Sequence, residues 1–254
     1  MRPSLAGLVL CLAAGVTLFG QGRGGAPQPP RTAKAMAPFD PSGYWVSIVS
    51  EDWRWRMFTP PKGDYTGVPL NPAGKKIADA WDPAKDEASR EQCRSYGAAN
   101  IMRVPGRLHV TWQDDQTIKI ETDSGIQTRL FYFGMPQKED EDWQGVSRAS
   151  WELTPALGGF TFGPNTAVEG TGSLKVVTTK LKPGYLRKNG VPYSAGTTAT
   201  EYYDLTKEPN GDTYLVVTTT VEDPTYLTEP FLTAAHFKKQ ADATGWNPTP
   251  CSAR

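Results

Sequence analysis

Histidine is scarce in this chain: His109 and His236 are the only two, far apart and in no H-x-x-x-H spacing. There are three cysteines in all and no C-x-x-C pair. The ligand sets of zinc sites and the redox motif of thioredoxin-like enzymes are therefore missing. Asp114-Asp115 and Glu139-Asp140-Glu141-Asp142 are acidic, but they read as a hairpin turn and a solvated loop, so no metal is expected. No Gly-x-Ser-x-Gly occurs; Gln144-Gly145-Val146-Ser147 lacks the second glycine. A phosphate loop and a dinucleotide fingerprint are absent too, so no cofactor is expected. Charge of one sign is also lacking, with 27 basic against 27 acidic residues. No electrostatic field points to nucleic acid or to an acidic membrane.

The N-terminus is informative. Arg2 supplies a positive charge, and an apolar stretch runs from Leu5 to Phe19. Small residues follow at Gly20 and Gly22, which is the layout of a secretory signal. The run is shorter than the roughly 20 apolar residues needed to span a bilayer. Residues 1–22 are read as a signal peptide cleaved near Gly20 to Gly22, leaving no transmembrane span and a periplasmic or secreted protein. Cys11 sits inside the apolar run after Leu10, which disfavours lipidation. Residues 23–38, rich in Gly, Pro and basic side chains, read as a flexible leader.

Residues 39–254 read as a single β-rich domain. The 22 Pro and 25 Gly imply many turns and argue against a helical bundle. Alternation marks strands at Gly43–Val49, Leu108–Trp112, Ile118–Ile120, Gln127–Phe133, Val146–Leu153, Ser173–Leu181, Thr197–Leu205, Thr213–Val221 and Phe231–Lys238. Trp53-Arg54-Trp55-Arg56-Met57 alternates as well, and predicts a strand with Trp53, Trp55 and Met57 inward and the arginines outward. Asn71-Pro72 and Asp82-Pro83 open two short helices. Phe160–Gly172 reads as a Gly-rich loop, and Pro209-Asn210-Gly211-Asp212 as a hairpin turn. Eight to ten sequential strands predict an antiparallel β-barrel of the calycin or lipocalin kind, or a β-sandwich; closure, which removes exposed edges, favours the barrel. In an oxidising compartment Cys93 and Cys251 are expected to be bridged.

Function is less legible. Trp45, Trp112, Trp143 and Trp151 either line a ligand cavity or fill the core. The segment Pro183–Pro192 carries Tyr185, Arg187, Lys188 and Asn189 between two strands. Arg187 and Lys188 suit a carboxylate and Tyr185 suits stacking, whereas Asn189-Gly190 is also an ordinary turn pair. These residues, with Arg129, form the candidate ligand-binding set. A catalytic reading as a hydrolase or isomerase needs His109, Glu201 or Asp223 to meet Arg129 or Tyr185 in one pocket. A third reading uses the aromatic, Pro-rich stretch from Trp53 to Pro69 as a surface for an envelope structural or assembly partner.

Several segments together resemble an uncharacterised family of exported β-rich bacterial proteins. They include Gly43-Tyr44-Trp45, Cys93-Arg94, Trp143-Gln144-Gly145-Val146-Ser147 with Trp151-Glu152, Leu174–Thr179, Leu186–Pro192 and Val221–Phe231. Here a Gly-rich insertion separates Trp151-Glu152 from Leu174, where family members turn tightly. The resemblance implies export and β structure and carries no activity. Gly43-Tyr44-Trp45 also resembles the Gly-x-Trp that opens the first lipocalin strand, which points to a barrel. The expectation is an exported, non-enzymatic binding module, a barrel holding a small apolar or aromatic molecule, which an interior filled by side chains would exclude; protein partners are unknown.

Overall fold

A computed structural model describes residues 31–155 and 167–254 of the chain. The expected signal peptide, the start of the leader and most of the expected loop Phe160–Gly172 lie outside the described residues. The strands are β1 (Gly43–Ile48), β2 (Arg107–Asp114), β3 (Thr117–Thr122), β4 (Ser124–Gly125), β5 (Gln127–Tyr132), β6 (Val146–Pro155) and β7 (Ala167–Thr179). They continue as β8 (Gly184–Arg187), β9 (Val191–Tyr193), β10 (Thr198–Lys207), β11 (Thr213–Glu222), β12 (Phe231–Gln240) and β13 (Thr249–Pro250). Three short helices, α1 (Trp53–Arg56), α2 (Pro72–Asp79) and α3 (Pro83–Ala88), fall between β1 and β2.

Nine strands close into a barrel in the order β1-β12-β11-β10-β7-β6-β5-β3-β2. This is the barrel expected from the alternation, and the sandwich alternative falls away. An odd ring cannot alternate direction throughout, so at least one pair of neighbours must run parallel. That pair is β5 and β6, where Phe131 faces Ser147 and Tyr132 faces Arg148. The connection 133–145 carries the chain back along the barrel to make this possible, because a parallel pair cannot be joined by a tight hairpin.

The long connections gather at one end of the barrel. The stretch between β1 and β2, with all three helices, lies there, as does the β8–β9 hairpin between β7 and β10. From it Tyr96, Ile101 and Met102 enter the barrel core alongside Trp45, Val110 and Phe237. A second core of Tyr65, Leu186, Val191, Tyr193 and Phe231 packs above them. The disulfide Cys93–Cys251 joins positions 158 residues apart and ties the C-terminal tail to this end. Closing so long a loop is worth about 2–4 kcal/mol. The tail is also held by β13, which pairs in parallel with β4. Asn71 and Asp82 cap α2 and α3, accepting from the backbone N–H groups of Gly74 and Ala84, as the Asn-Pro and Asp-Pro steps predict.

The other end is closed by aromatics. Trp151 packs on Phe39 with ring centroids 5.5 Å apart and on Phe133 at 5.1 Å. Its indole N–H donates to the Ala33 carbonyl at 2.8 Å, and Ala33 is buried. The described part of the expected leader, residues 31–38, is therefore held against the barrel rather than hanging free. An aromatic surface with an indole donor to satisfy anchors it despite its Gly- and Pro-rich composition.

Two further expectations are corrected. The stretch from Trp53 is a helical turn, α1, and not a strand. Asp52 adopts φ 50°, the left-handed region, and the Arg56 and Met57 N–H groups bond back to the Asp52 and Trp53 carbonyls. Both edges of β1 are already taken by β2 and β12, so the chain leaves the sheet here with no strand to pair with. The orientation inverts at three positions, with Arg56 buried and Trp53 and Met57 exposed, while Arg54 stays exposed as expected and Trp55 is half-buried. Second, β7 begins at Ala167, so residues 167–172 of the expected loop belong to the hairpin with β6. Among the described residues no helix is long and apolar enough to cross a membrane.

The barrel axis is occupied by side chains, and this filled interior counts against the expectation of a molecule held inside the barrel. Trp45, Phe131, Tyr203 and Phe237 are fully buried, and so are Arg129 and Glu201. Arg129 and Glu201 form a two-pronged ion pair, with Nη1 to Oε1 at 2.9 Å and Nη2 to Oε2 at 2.6 Å. The Tyr203 hydroxyl donates to Glu201 Oε1 at 3.2 Å, and Arg129 Nη2 also donates to Thr178 Oγ1 at 3.3 Å. Thr178 and Ser147 share a further hydrogen bond of 2.8 Å. Burial would lower the Arg129 pKa, but the facing Glu201 charge reverses this and holds it above the usual value. Burial and the same carboxylate raise the Tyr203 phenol. Truncating one partner strands a buried charge. Glu201→Gln or Arg129→Met is therefore expected to cost about 3–5 kcal/mol in denaturant unfolding. The double change Arg129→Met with Glu201→Gln is expected to cost clearly less than the sum of the two singles.

Candidate functional site

At the plugged end, a groove of about 390 Å³ opens between α1, the turn Ile101–Arg103, the β8–β9 hairpin and the C-terminal tail. That size lies within the usual range for small-molecule sites. Each wall is fixed by the fold. The hairpin is tight because Gly190 adopts φ +80° against the Trp81 side chain, which a Cβ would strike. Asn189 is fully buried and donates to the carbonyls of Pro61 and Asp64 at 3.1 and 2.9 Å. The tail is placed by the disulfide and by β13.

Three buried arginines converge on the groove. Arg56 Nε donates to the Arg103 carbonyl at 2.8 Å, and its Nη1 lies 3.4 Å from Glu51 Oε2. Arg103 pairs with Asp52 at 2.8 Å and donates to the Leu186 carbonyl at 3.3 Å. Arg187 donates to the Thr66 carbonyl at 2.8 Å and lies 4.7 Å over the Trp55 ring. Burial draws the Arg103 pKa down to about 10; Asp52 opposes the fall, while the positive Arg187 and Arg56 add to it. Burial lowers Arg56 and Arg187 as well. Lys188 stands at the rim, 4.9 Å over Tyr96.

The candidate ligand-binding residues divide between this site and the framework. Arg187 and Lys188 line the groove. Asn189 braces the hairpin from behind. Tyr185 turns to Asp86 and Arg94, accepting from Arg94 Nη1 at 3.1 Å and donating to Asp86 Oδ2 at 3.0 Å. Trp143 donates to the Pro183 carbonyl at 3.3 Å and packs under Lys182. Trp45 is core, with its indole N–H on the Pro41 carbonyl at 2.9 Å. Trp112 and Trp151 belong to the aromatic closure at the far end, and Arg129 lies in the barrel axis.

Of the catalytic set, only Arg129 and Glu201 meet. His109 lies on the outer face of β2, stacked on Tyr44 at 4.2 Å and 3.3 Å from Glu121. Asp223 accepts from Ser194 and from the Thr225 N–H, as a turn carboxylate does. Among the described residues no group of His, Cys, Asp and Glu is placed to hold a metal ion. Arg56 and Arg103 were invisible as site residues in the sequence. Alternation sent Arg56 outward, and Arg103 follows an apolar pair with no motif around it. No protein-family model matches the chain, and no curated protein matches it.

The hydrogen-bonded phenols behind the groove have a pH signature. Burial raises Tyr185 to about 12, with Asp86 adding to the rise and Arg94 opposing it. Burial and the Asp79 carboxylate, 2.8 Å away, raise Tyr65 to about 12. A phenol whose folded pKa lies above its unfolded value near ~10 contributes stability that is present below pH ~10 and lost as pH rises toward the folded value. Tyrosine absorbance is expected to show a late-ionising class near pH 12 that shrinks by one residue in Tyr185→Phe. Stability should fall between pH ~10 and 12.

Proposed function

We propose that the chain is an exported, non-enzymatic binding module that holds a small molecule with an apolar or aromatic part in the groove at the plugged end, and not inside the barrel. The observation that carries this reading is the contrast between the two places. The axis holds Trp45, Phe131, Arg129 and Tyr203, all fully buried. The groove is open, of ligand size, walled on one side by Trp55 and Met57 and on the other by buried arginines. Concave sites with an apolar wall and a few fixed polar groups are where small molecules bind. Export to the periplasm or the exterior rests on the N-terminal signal pattern. Membership of the exported bacterial family rests on the shared segments, and both agree with the disulfide.

A second reading has an observation of its own. Trp53, Met57 and Phe58 are 59%, 53% and 68% exposed beside the groove, and clustered exposed apolar side chains mark docking surfaces. An envelope partner seated on α1 would cover them. Native mass spectrometry of the mature protein from its own host separates the readings. A discrete extra mass lost on denaturation is expected. A bare monomer mass with a protein retained only by wild type, and not by a Trp53→Ser and Phe58→Ser double variant, would replace it with the partner reading.

A further inference from the structure

The chemistry of the ligand follows from the charges around the groove; it rests on the groove reading above. Arg56 and Arg103 are 1% and 5% exposed in their side chains, and Arg187 is 2% exposed overall. Three guanidiniums are thus buried side by side; among the described residues their ion pairs are with two carboxylates, Glu51 and Asp52, while Asp64 acts on Arg187 from beyond ion-pair distance. Among the described residues Arg187 has no carboxylate within ion-pair distance. Arg56 Nη2, Arg103 Nε and Arg187 Nε have no hydrogen-bond partner among the described residues.

Buried charges are ordinarily paired and buried N–H groups ordinarily bonded. A surplus of buried positive charge with spare donors is a recurrent way of holding an anion, since guanidinium forks match the spacing of carboxylate and phosphate oxygens. The geometry also explains how the surplus is tolerated without ligand. Phe231 lies under Arg103 at 5.4 Å and under Arg187 at 6.0 Å, and Trp55 lies under Arg187 at 4.7 Å. The ring faces carry negative charge toward the cations. Lys188, whose Nζ donates to the Arg254 main-chain oxygen at 3.3 Å, adds a fourth cation at the rim.

We propose that the groove is an oxyanion site: its ligand carries a carboxylate or phosphate group bound by Arg56, Arg103 and Arg187, with an apolar or aromatic body against Trp55 and Met57. The aromatic wall and the basic wall belong to one groove, so both ends of such a molecule are recognised together.

The test is calorimetric titration of the mature chain, disulfide intact, with phenyl phosphate, benzoate and neutral benzyl alcohol at constant ionic strength. At least one of the two anions is expected to saturate, and benzyl alcohol to bind far more weakly. Arg187→Lys keeps the charge but loses the planar fork, and is expected to weaken anion binding by about tenfold. Lys188→Gln, at the rim, should weaken it less. Thermal unfolding of each variant checks that it folds. In wild type the anion that binds should also raise the midpoint, where sodium chloride of equal ionic strength does not. If benzyl alcohol binds as well as the anions, the oxyanion assignment is overturned and the groove reading survives. If neither anion binds, the oxyanion assignment is overturned, and the groove reading then depends on whether a ligand mass is retained in native spectra. Equal binding by wild type and both variants would place the anion elsewhere and overturn the assignment too.

Discussion

The ion pair between Arg129 and Glu201 governs what this barrel can be. The two residues stand on β5 and β10, separated around the ring by β6 and β7. An isolated charge in an apolar core is expensive, so each residue is tolerated only where the other meets it. A slip of one residue in either strand would turn its side chain to the outer face and leave the partner stranded. The pair thus helps to specify register across four strands, and Tyr203, Thr178 and Ser147 complete its hydrogen bonding. It also takes up space. With Phe131 stacked 4.8 Å from the Arg129 guanidinium and aromatics closing the far end, the axis is committed to structure.

That commitment leaves the open concave surface at an end of the barrel. The odd strand count requires a parallel junction, and a parallel junction requires a long return. The chain places that return, the helical stretch between β1 and β2 and the β8–β9 hairpin so that they meet over one opening. Tyr96, Ile101 and Met102 plug it. The remaining surface of the plug is stitched by Cys93–Cys251 and by β13, which fixes the walls of the groove. Arg56, Arg103 and Arg187 come from three separate segments and converge only because these segments share the same end. With nine strands and a filled interior, the open concave space lies in an external groove and not along the axis.

The sequence made much of the framework legible, because period-2 alternation is a direct readout of a two-faced sheet. Val110, Ile120, Val217 and Phe237 all face the core as their alternation requires. The N-caps Asn71 and Asp82 and the cysteine pair were equally direct, since each is a local or countable signal. The failure at Trp53–Met57 has a physical cause: alternation predicts a strand only where a neighbouring strand has a free edge, and β1 has none left. The ion pair was half visible, with Arg129 sharing a face with Phe131 and Glu201 with Tyr203, but sequence order cannot tell that two inward charges of opposite sign will meet. The arginine cluster was invisible for the same reason. Its members lie 47 and 84 residues apart along the chain, at positions 56, 103 and 187, and no local pattern links them.

The most direct test of a filled barrel with its site outside is the set of tryptophan indole N–H resonances of the uniformly nitrogen-labelled mature protein, titrated with phenyl phosphate. Trp55 walls the groove, Trp45 lies in the core and Trp151 closes the far end, so each reports a different place. The account predicts that the Trp55 resonance moves with saturation while those of Trp45 and Trp151 hold still. Movement of Trp45 and Trp151 with Trp55 unchanged would put the ligand inside the barrel and contradict it.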